Sequence, residues 1–321
     1  MNQSITSARR RPRRGRLVAA LVALLLGVIG VSASPAGSAT AAYPGGNGKI
    51  AFTRANQVHT ANANGSGVVK LTTSGKNYWP RWSPNGQRIA YINETSAGVK
   101  NIWVMNANGS NKRKVTSVGN VQPPTWSPDG ATLAFGGGNV GGFPVLMTIK
   151  STAPFGSPTV VQGDDGGGLG PVVVQGGAAW APDGHSIMFP STQFPSSPDS
   201  YILEWNTTTR QVTPWVASGG SCCGPGTVTQ PAWSANGART AFTYTVNGVP
   251  TVLVRSYPAF GTVTFATRSQ DEQFAFAPNG QRVAFMNDAN GTPRIFTAAA
   301  NGSGRTAVIS NGYQPDWQPV P

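Results

Sequence analysis

PRWSPNGQRIAY, Pro80–Tyr91, places an aromatic residue just ahead of a tight turn and a short apolar strand. The same arrangement returns as PTWSPDGATLAF at Pro124–Phe135, AAWAPDGHSIMF at Ala178–Phe189, PAWSANGARTAF at Pro231–Phe242 and FAFAPNGQRVAF at Phe274–Phe285. A sixth copy is split. PDWQPVP closes the chain at Pro315–Pro321, and its partner strand, GKIAF at Gly48–Phe52, lies near the other end. A repeat shared between both ends is how a circular array closes on itself and removes its exposed edges.

Around Pro80–Tyr91 the chain reads as four short strands. An inner strand starts at Trp79, and Ser83-Pro84-Asn85-Gly86 turns the chain back, since Pro fixes φ and Asn-Gly tolerates left-handed turn conformations. Arg88–Ile92 is the second strand, Asn101–Asn106 the third and Arg113–Ser117 the fourth. The third strand recurs as VHTANANGS at Val58–Ser66, IWVMNANGS at Ile102–Ser110 and IFTAAANGS at Ile295–Ser303, with looser copies from Val145, Ile202 and Val252. Four-stranded units at this spacing are the signature of propeller blades, which bury their faces only by stacking on neighbours. The expected fold is an all-β, six-bladed propeller of four-stranded antiparallel blades, closed by pairing of the N- and C-terminal strands. Trp82, Trp126, Trp180, Trp233, Phe276 and Trp317 are expected to pack between blades, because the aromatic recurs in every one.

These residues resemble the TolB-type propeller, whose WD-like repeat reads approximately P-x-W-S-P-D-G-x-x-I-A-F followed by I-W-V-M-N-x-D-G. The resemblance covers nearly all of the chain after its first forty residues, and both halves of the motif recur at blade spacing. It implies the propeller but not the α/β domain joined to it in TolB, for which there is no room here. The acidic turn residue common in that family is Asn at Asn85, Asn236 and Asn279. TolB's periplasmic partners do not carry over on this basis.

Residues 1–42 read as an export signal and 43–321 as the propeller. Arg9, Arg10, Arg11, Arg13, Arg14 and Arg16 form a basic region, and Leu17–Val31 is an apolar run of 15 residues, shorter than the roughly 20 that span a bilayer as a helix. Ala39-Thr40-Ala41 offers a small-residue cleavage site; the other reading is an uncleaved membrane anchor, the only membrane contact expected. The implied location is secreted or at the cell envelope. Setting aside the six arginines reduces the net charge from +13 to about +7, with 18 basic and 11 acidic side chains. Lys112-Arg113-Lys114 is the longest basic run, which is no nucleic-acid footprint and suits an edge strand guarded against aggregation.

The connections between second and third strands, and between blades, are long and varied at Gly136–Pro144, Gln162–Gly177, Pro190–Tyr201 and Val216–Gln230. Variable loops on a rigid scaffold usually carry specificity. On that face the residues ahead of each inner strand should rim the central opening: Tyr78, Trp79, Gln122, Gln230, Glu272, Gln273, Tyr313 and Gln314. Amides beside aromatic rings suit peptide or sugar recognition, and an ordinary polar mouth is the plainer reading of the same residues. Cys222-Cys223 is a candidate vicinal disulfide, because the chain reads as exported and neither cysteine has another partner. Adjacent α-carbons about 3.8 Å apart would strain it, so free thiols or intermolecular pairing stay open.

Catalysis is poorly supplied. His59 and His185 lie apart, and neither has a metal set or triad around it. No catalytic residue, metal or cofactor is expected. The leading reading is a monomeric, non-catalytic binding scaffold for a protein, peptide or glycan. The alternative is a carbohydrate-active hydrolase or lyase using Asp164, Asp165, Asp271 and Glu272, since glycosidases need two carboxylates about 5–10 Å apart.

Overall fold

The computed structural model describes residues 45–140, 143–164, 166–191, 200–217, 226–258 and 263–321. Its strands form six four-stranded antiparallel sheets and one two-stranded hairpin. Blade 1 comprises Lys76–Trp82, Arg88–Glu94, Lys100–Asn106 and Arg113–Lys114. Blade 2 runs from Thr125–Trp126 through Thr132–Val140 and Phe143–Lys150 to Thr159–Val160. Blade 3 is Ala179–Trp180, Ser186–Ser191, Tyr201–Asn206 and Val212–Ala217. Blade 4 is Thr227–Trp233, Arg239–Val246, Val249–Ser256 and Val263–Ala266. Blade 5 is Asp271–Phe276, Arg282–Asn287, Arg294–Ala299 and Thr306–Ser310. Blade 6 joins the two ends: Tyr313–Val320 pairs with Gly46–Arg54, followed by Gln57–Ala61 and Val69–Lys70.

The ring closes, because each seam carries a hydrogen bond to the next blade. The Trp126 indole donates to Arg81 O, Trp180 N to Thr125 Oγ1, the Trp233 indole to Ala179 O, Gln273 N to Gln230 Oε1, Gln314 N to Gln273 Oε1 and Trp82 N to Asp316 Oδ2. The recurrent aromatics pack between blades as the repeat predicts. Trp126 joins Ala90, Ile92 and Ile102 of blade 1, and Trp317 joins Ala275 and Ala284 of blade 5.

The turn between first and second strands works the same way with either Asn or Asp. Asn85, Asp129, Asp183, Asn236 and Asn279 each accept, through Oδ1, the backbone N–H two residues on. Only an acceptor oxygen is required, which explains how Asn stands where the TolB-type repeat has an acid. The outer strands of blades 6 and 1 are short, exposed and charged, at Val69–Lys70 and Arg113–Lys114, which limits edge-to-edge pairing there.

The long connections are shorter than the sequence suggests. Most of Gly136–Pro144 is strand, since Thr132–Val140 and Phe143–Lys150 pair beyond the repeat core. Gln162–Gly177 contains the extra hairpin, Gln162–Asp164 with Leu169–Pro171. Pro190, Ser191, Val216, Ala217 and Thr227–Gln230 also belong to strands. The export segment 1–42 and the Cys222-Cys223 pair lie outside the described residues.

Candidate functional site: the central channel

The inner strands line a central channel and share one irregularity. In blades 1, 4, 5 and 6 the register shifts by one residue at Tyr78/Arg81, Thr229/Ala232, Glu272/Ala275 and, against Ala51/Thr53, Tyr313/Asp316. The extra residue is a β-bulge. One residue in each bulge adopts left-handed backbone: Trp79 at φ 55°, Gln230 at 53°, Gln273 at 56° and Gln314 at 58°. Side chains other than glycine rarely adopt this conformation, and proline after Trp79, Gln230 and Gln314 disfavours helical backbone further. Such backbone costs on the order of 1–3 kcal/mol and persists where neighbours fix it.

Those neighbours are the glutamine side chains. Gln230 Oε1 accepts Gln273 N at 2.9 Å, Gln273 Oε1 accepts Gln314 N at 2.7 Å, and Gln314 Oε1 accepts Trp79 N at 2.9 Å. Thr243 and Thr53 hydroxyls add a second donor to the Gln230 and Gln314 oxygens. This relay runs around one side of the mouth, through blades 4, 5, 6 and 1. It stops at blade 2, where Pro123 stands at the bulge position and has no N–H. Gln122, one residue earlier, hydrogen-bonds by its backbone to Gly136 O and stays outside the relay.

Because each Oε1 must accept, the amide orientation is determined and Nε2 is the remaining donor. Gln273 Nε2 lies 3.4 Å from Glu272 Oε1. Gln230 Nε2 and Gln314 Nε2 have no acceptor among the described residues. The sequence places these glutamines at the mouth; the structure adds that half of each amide already holds the ring together. Of the other rim residues, Tyr78 donates to Glu94 Oε2 at 2.5 Å and Tyr313 to Asn56 Oδ1 at 3.3 Å. Trp79 stacks under the Arg81 guanidinium at 5.3 Å.

The carboxylates of the hydrolase reading are dispersed. Asp271 is fully buried and held by Arg305 at 2.5 and 2.9 Å, by Asn287 Nδ2 and by Arg268 N, so it is a structural anion and not an open mouth carboxylate. Asp164 accepts Gly166 N and Gly168 N in the extra hairpin and pairs with Gln211 at the outer edge of blade 3. That edge is not the mouth, so the expected placement is corrected: chain order put Asp164 ahead of blade 3, but the hairpin carries it outward. Asp165 lies outside the described residues. Glu272 remains at the mouth, half-buried, its carboxyl held above the ordinary range by burial and by Asp288. No group of three or more metal-ligating side chains occurs among the described residues.

Deeper in the channel, the residue before each recurrent aromatic faces inward: Arg81, Thr125, Ala179, Ala232, Ala275 and Asp316. With the aromatics they line an open cavity of about 120 Å³. Interblade packing and channel lining are therefore both tasks of the same aromatics, which packing alone did not foretell. Asp316 lines this cavity, partly exposed to it, with protein packed around the rest of the carboxyl. Desolvation raises its pKa to about 6, against the opposing pull of Arg81 and the Trp82 N–H.

Folded Asp316 binds a proton more tightly than the unfolded chain, so its contribution is fully present below the unfolded value of 3.8 and is lost as pH rises through about 6. Asp316→Asn keeps an acceptor for Trp82 N and removes the titration. The unfolding free energy of wild type minus that of Asp316→Asn, from urea titrations, is expected to fall by on the order of 2 kcal/mol between pH 4 and pH 7. A flat difference would show that the carboxyl is ordinarily solvated.

No family model matches the chain, and no curated protein matches it in sequence. Solved structures do. TolB from Acinetobacter baumannii superposes with a TM-score of 0.70 at 18% identity, covering 85% of this chain and 67% of that one. A putative TolB from Agrobacterium tumefaciens gives 0.60 at 17%, covering 83% and 90%. The periplasmic gluconolactonase PpgL of Pseudomonas aeruginosa gives 0.53 at 12%, covering 86% and 100%. At these identities the shared property is the β-propeller fold, which in this chain has six blades.

Proposed function

We propose that this propeller is an exported, non-catalytic binding module that recognises a protein, peptide or glycan at the cell envelope through its glutamine-lined mouth. The observation that carries this reading is the relay of Gln230, Gln273 and Gln314. Each oxygen is fixed by the next blade, which leaves pre-oriented amide donors at the rim beside Trp79, Tyr78 and Tyr313. Pre-orientation lowers the entropic cost of binding. Donors beside aromatic surface match the carbonyls and hydroxyls of peptides and sugars. The TolB-like fold and the periplasmic gluconolactonase are consistent with an envelope setting.

A second reading keeps Glu272 as an acid in a hydrolase or lyase. Its raised pKa beside Asp288 favours it, and the gluconolactonase shows a related propeller hosting an enzyme. The binding reading is preferred because Asp271 is consumed by Arg305 and Asp164 lies at a blade edge.

Substituting Gln by Glu tests the relay selectively, because a carboxylate still accepts the neighbouring N–H but offers no donor. Peptide and glycan arrays probed with wild type and with Gln230→Glu are expected to show hits that weaken about tenfold or more in the variant, with thermal unfolding preserved. Hits unaffected by the substitution would place recognition elsewhere.

A further inference from the structure

Two seams of the ring are closed by an arginine. Arg88 begins the second strand of blade 1 and reaches into blade 2. Its guanidinium lies 4.7 Å from the centroid of the Trp126 ring and donates to Gly130 O at 3.0 Å and Ser151 O at 2.9 Å. Arg239 repeats the arrangement from blade 4 into blade 5. It lies 5.5 Å from the Phe276 centroid and donates to Gly280 O at 3.0 Å and Ala300 O at 3.3 Å. The cation therefore has one seat in both seams, over the recurrent aromatic and beside the carbonyl of the turn glycine. A planar cation with forked donors suits stacking and two carbonyls at once.

The seam between blades 3 and 4 has the seat with a different residue behind it. Ser186 stands where Arg88 and Arg239 stand, Trp233 is the recurrent aromatic, and Gly237 is the turn glycine. A cavity of about 450 Å³ opens there, lined by Asp183, Asn236, Gly237 and Tyr257 among others. Tyr257 meets Trp233 edge-on with centroids 4.6 Å apart and leans on Trp215 at 5.0 Å. Its hydroxyl donates to Glu204 Oε1 at 2.8 Å. Burial, then Glu204, hold that phenol protonated well above its ordinary range, with Asp183 adding to the same negative field. Exposed Asp183 uses Oδ1 for His185 N at 2.9 Å, and Oδ2 faces no donor among the described residues. This seam thus combines aromatic rings, a turn carbonyl and two carboxylates, and lacks the cation that Arg88 and Arg239 supply in the two seams above.

We propose that the seam between blades 3 and 4 binds a guanidinium group supplied from outside, the side chain of an arginine in a partner segment. The Tyr257 ring, backed by Trp233, is the stacking surface, Gly237 O accepts one arm of the fork, and Asp183 supplies the opposite charge. The seam opens on the face of the short turns, across the ring from the glutamine mouth, so the proposal stands whether or not the mouth reading holds.

N-acetyl-arginine amide titrated into the whole chain is the direct test, followed through the indole N–H resonance of Trp233, which is fixed on Ala179 O. Saturable shifts are expected, with N-acetyl-lysine amide at least about fivefold weaker, since ammonium lacks the planar fork. Asp183→Asn, a change at an exposed position, is expected to weaken binding by about fivefold or more. Ser186→Arg replaces a buried serine bonded to the Tyr257 hydroxyl with a guanidinium in cis and is expected to abolish binding. No saturation, equal binding of the lysine amide, or unchanged affinity in Asp183→Asn would each overturn the proposal. Should Ser186→Arg fail to fold, the Asp183→Asn comparison still decides it.

Discussion

A chain ending at residue 312 is expected to lose cooperative unfolding near the wild-type temperature and to self-associate. The deleted strand, Tyr313–Val320, is the inner strand of blade 6 and pairs with Gly46–Arg54 across the chain ends. It carries Trp317, which is 3% exposed and packed with Ile50, Phe52, Ala275 and Ala284. It also carries Gln314 and Asp316, whose side chains accept Trp79 N and Trp82 N of blade 1, while Gln314 N donates to Gln273 of blade 5. One deletion therefore opens two seams. Removing a buried tryptophan side chain alone costs about 3–5 kcal/mol, against a total stability of about 5–15 kcal/mol for a folded domain. The loss also bares Gly46–Arg54 as an edge strand, which favours association. Calorimetry and size-exclusion chromatography measure both effects; an unchanged, monomeric transition would contradict closure by the split blade.

Arg305→Met is expected to destabilise the ring by about 3–5 kcal/mol, the usual cost of leaving a buried charge without its partner. Asp271 is fully buried, and Arg305 supplies two of its hydrogen bonds. The guanidinium also lies 4.8 Å from the Phe285 centroid and 4.1 Å from that of Phe296, so Met preserves apolar packing while removing charge. Adding Asp271→Asn should recover part of the loss, because it removes the buried charge, although the single amide oxygen can accept from only one of Asn287 Nδ2 and Arg268 N. Urea unfolding of both single variants and the double variant measures the coupling. A single-variant loss below about 1 kcal/mol would mean that the pair is solvated.

The fold was legible because its signals repeat. Trp82-Ser83-Pro84-Asn85-Gly86 and its counterparts set turn, strand and seam together, and the split between Gly48–Phe52 and Pro315–Pro321 marked the closure. The candidate site was legible only in part. Gln230, Gln273 and Gln314 stand three residues before the aromatic in successive blades, so their phase within the repeat was a visible signal of a structural task. That they adopt left-handed backbone was not visible, because glutamine has no preference for it and proline after two of them argues against it. Asp271 reads as an exposed loop acid until its distant partner Arg305 is brought beside it. Asp164 likewise reads as a mouth residue because chain order does not reveal that its hairpin docks on Gln211, just ahead of the outer strand of blade 3. Arg88 and Arg239 read as polar strand residues, yet they bridge blades through contacts far apart in the chain.

On the proposed function, the mouth binds its ligand intact through the glutamine donors. Its most direct measurement takes a peptide or glycan that the wild type captures, incubates it with wild type and with Glu272→Gln, and follows affinity and ligand mass together. Binding without turnover leaves the ligand mass unchanged with both proteins and gives similar affinity for both. Cleaved or rearranged ligand with wild type, absent with Glu272→Gln although binding persists, would make Glu272 a catalytic acid and contradict it.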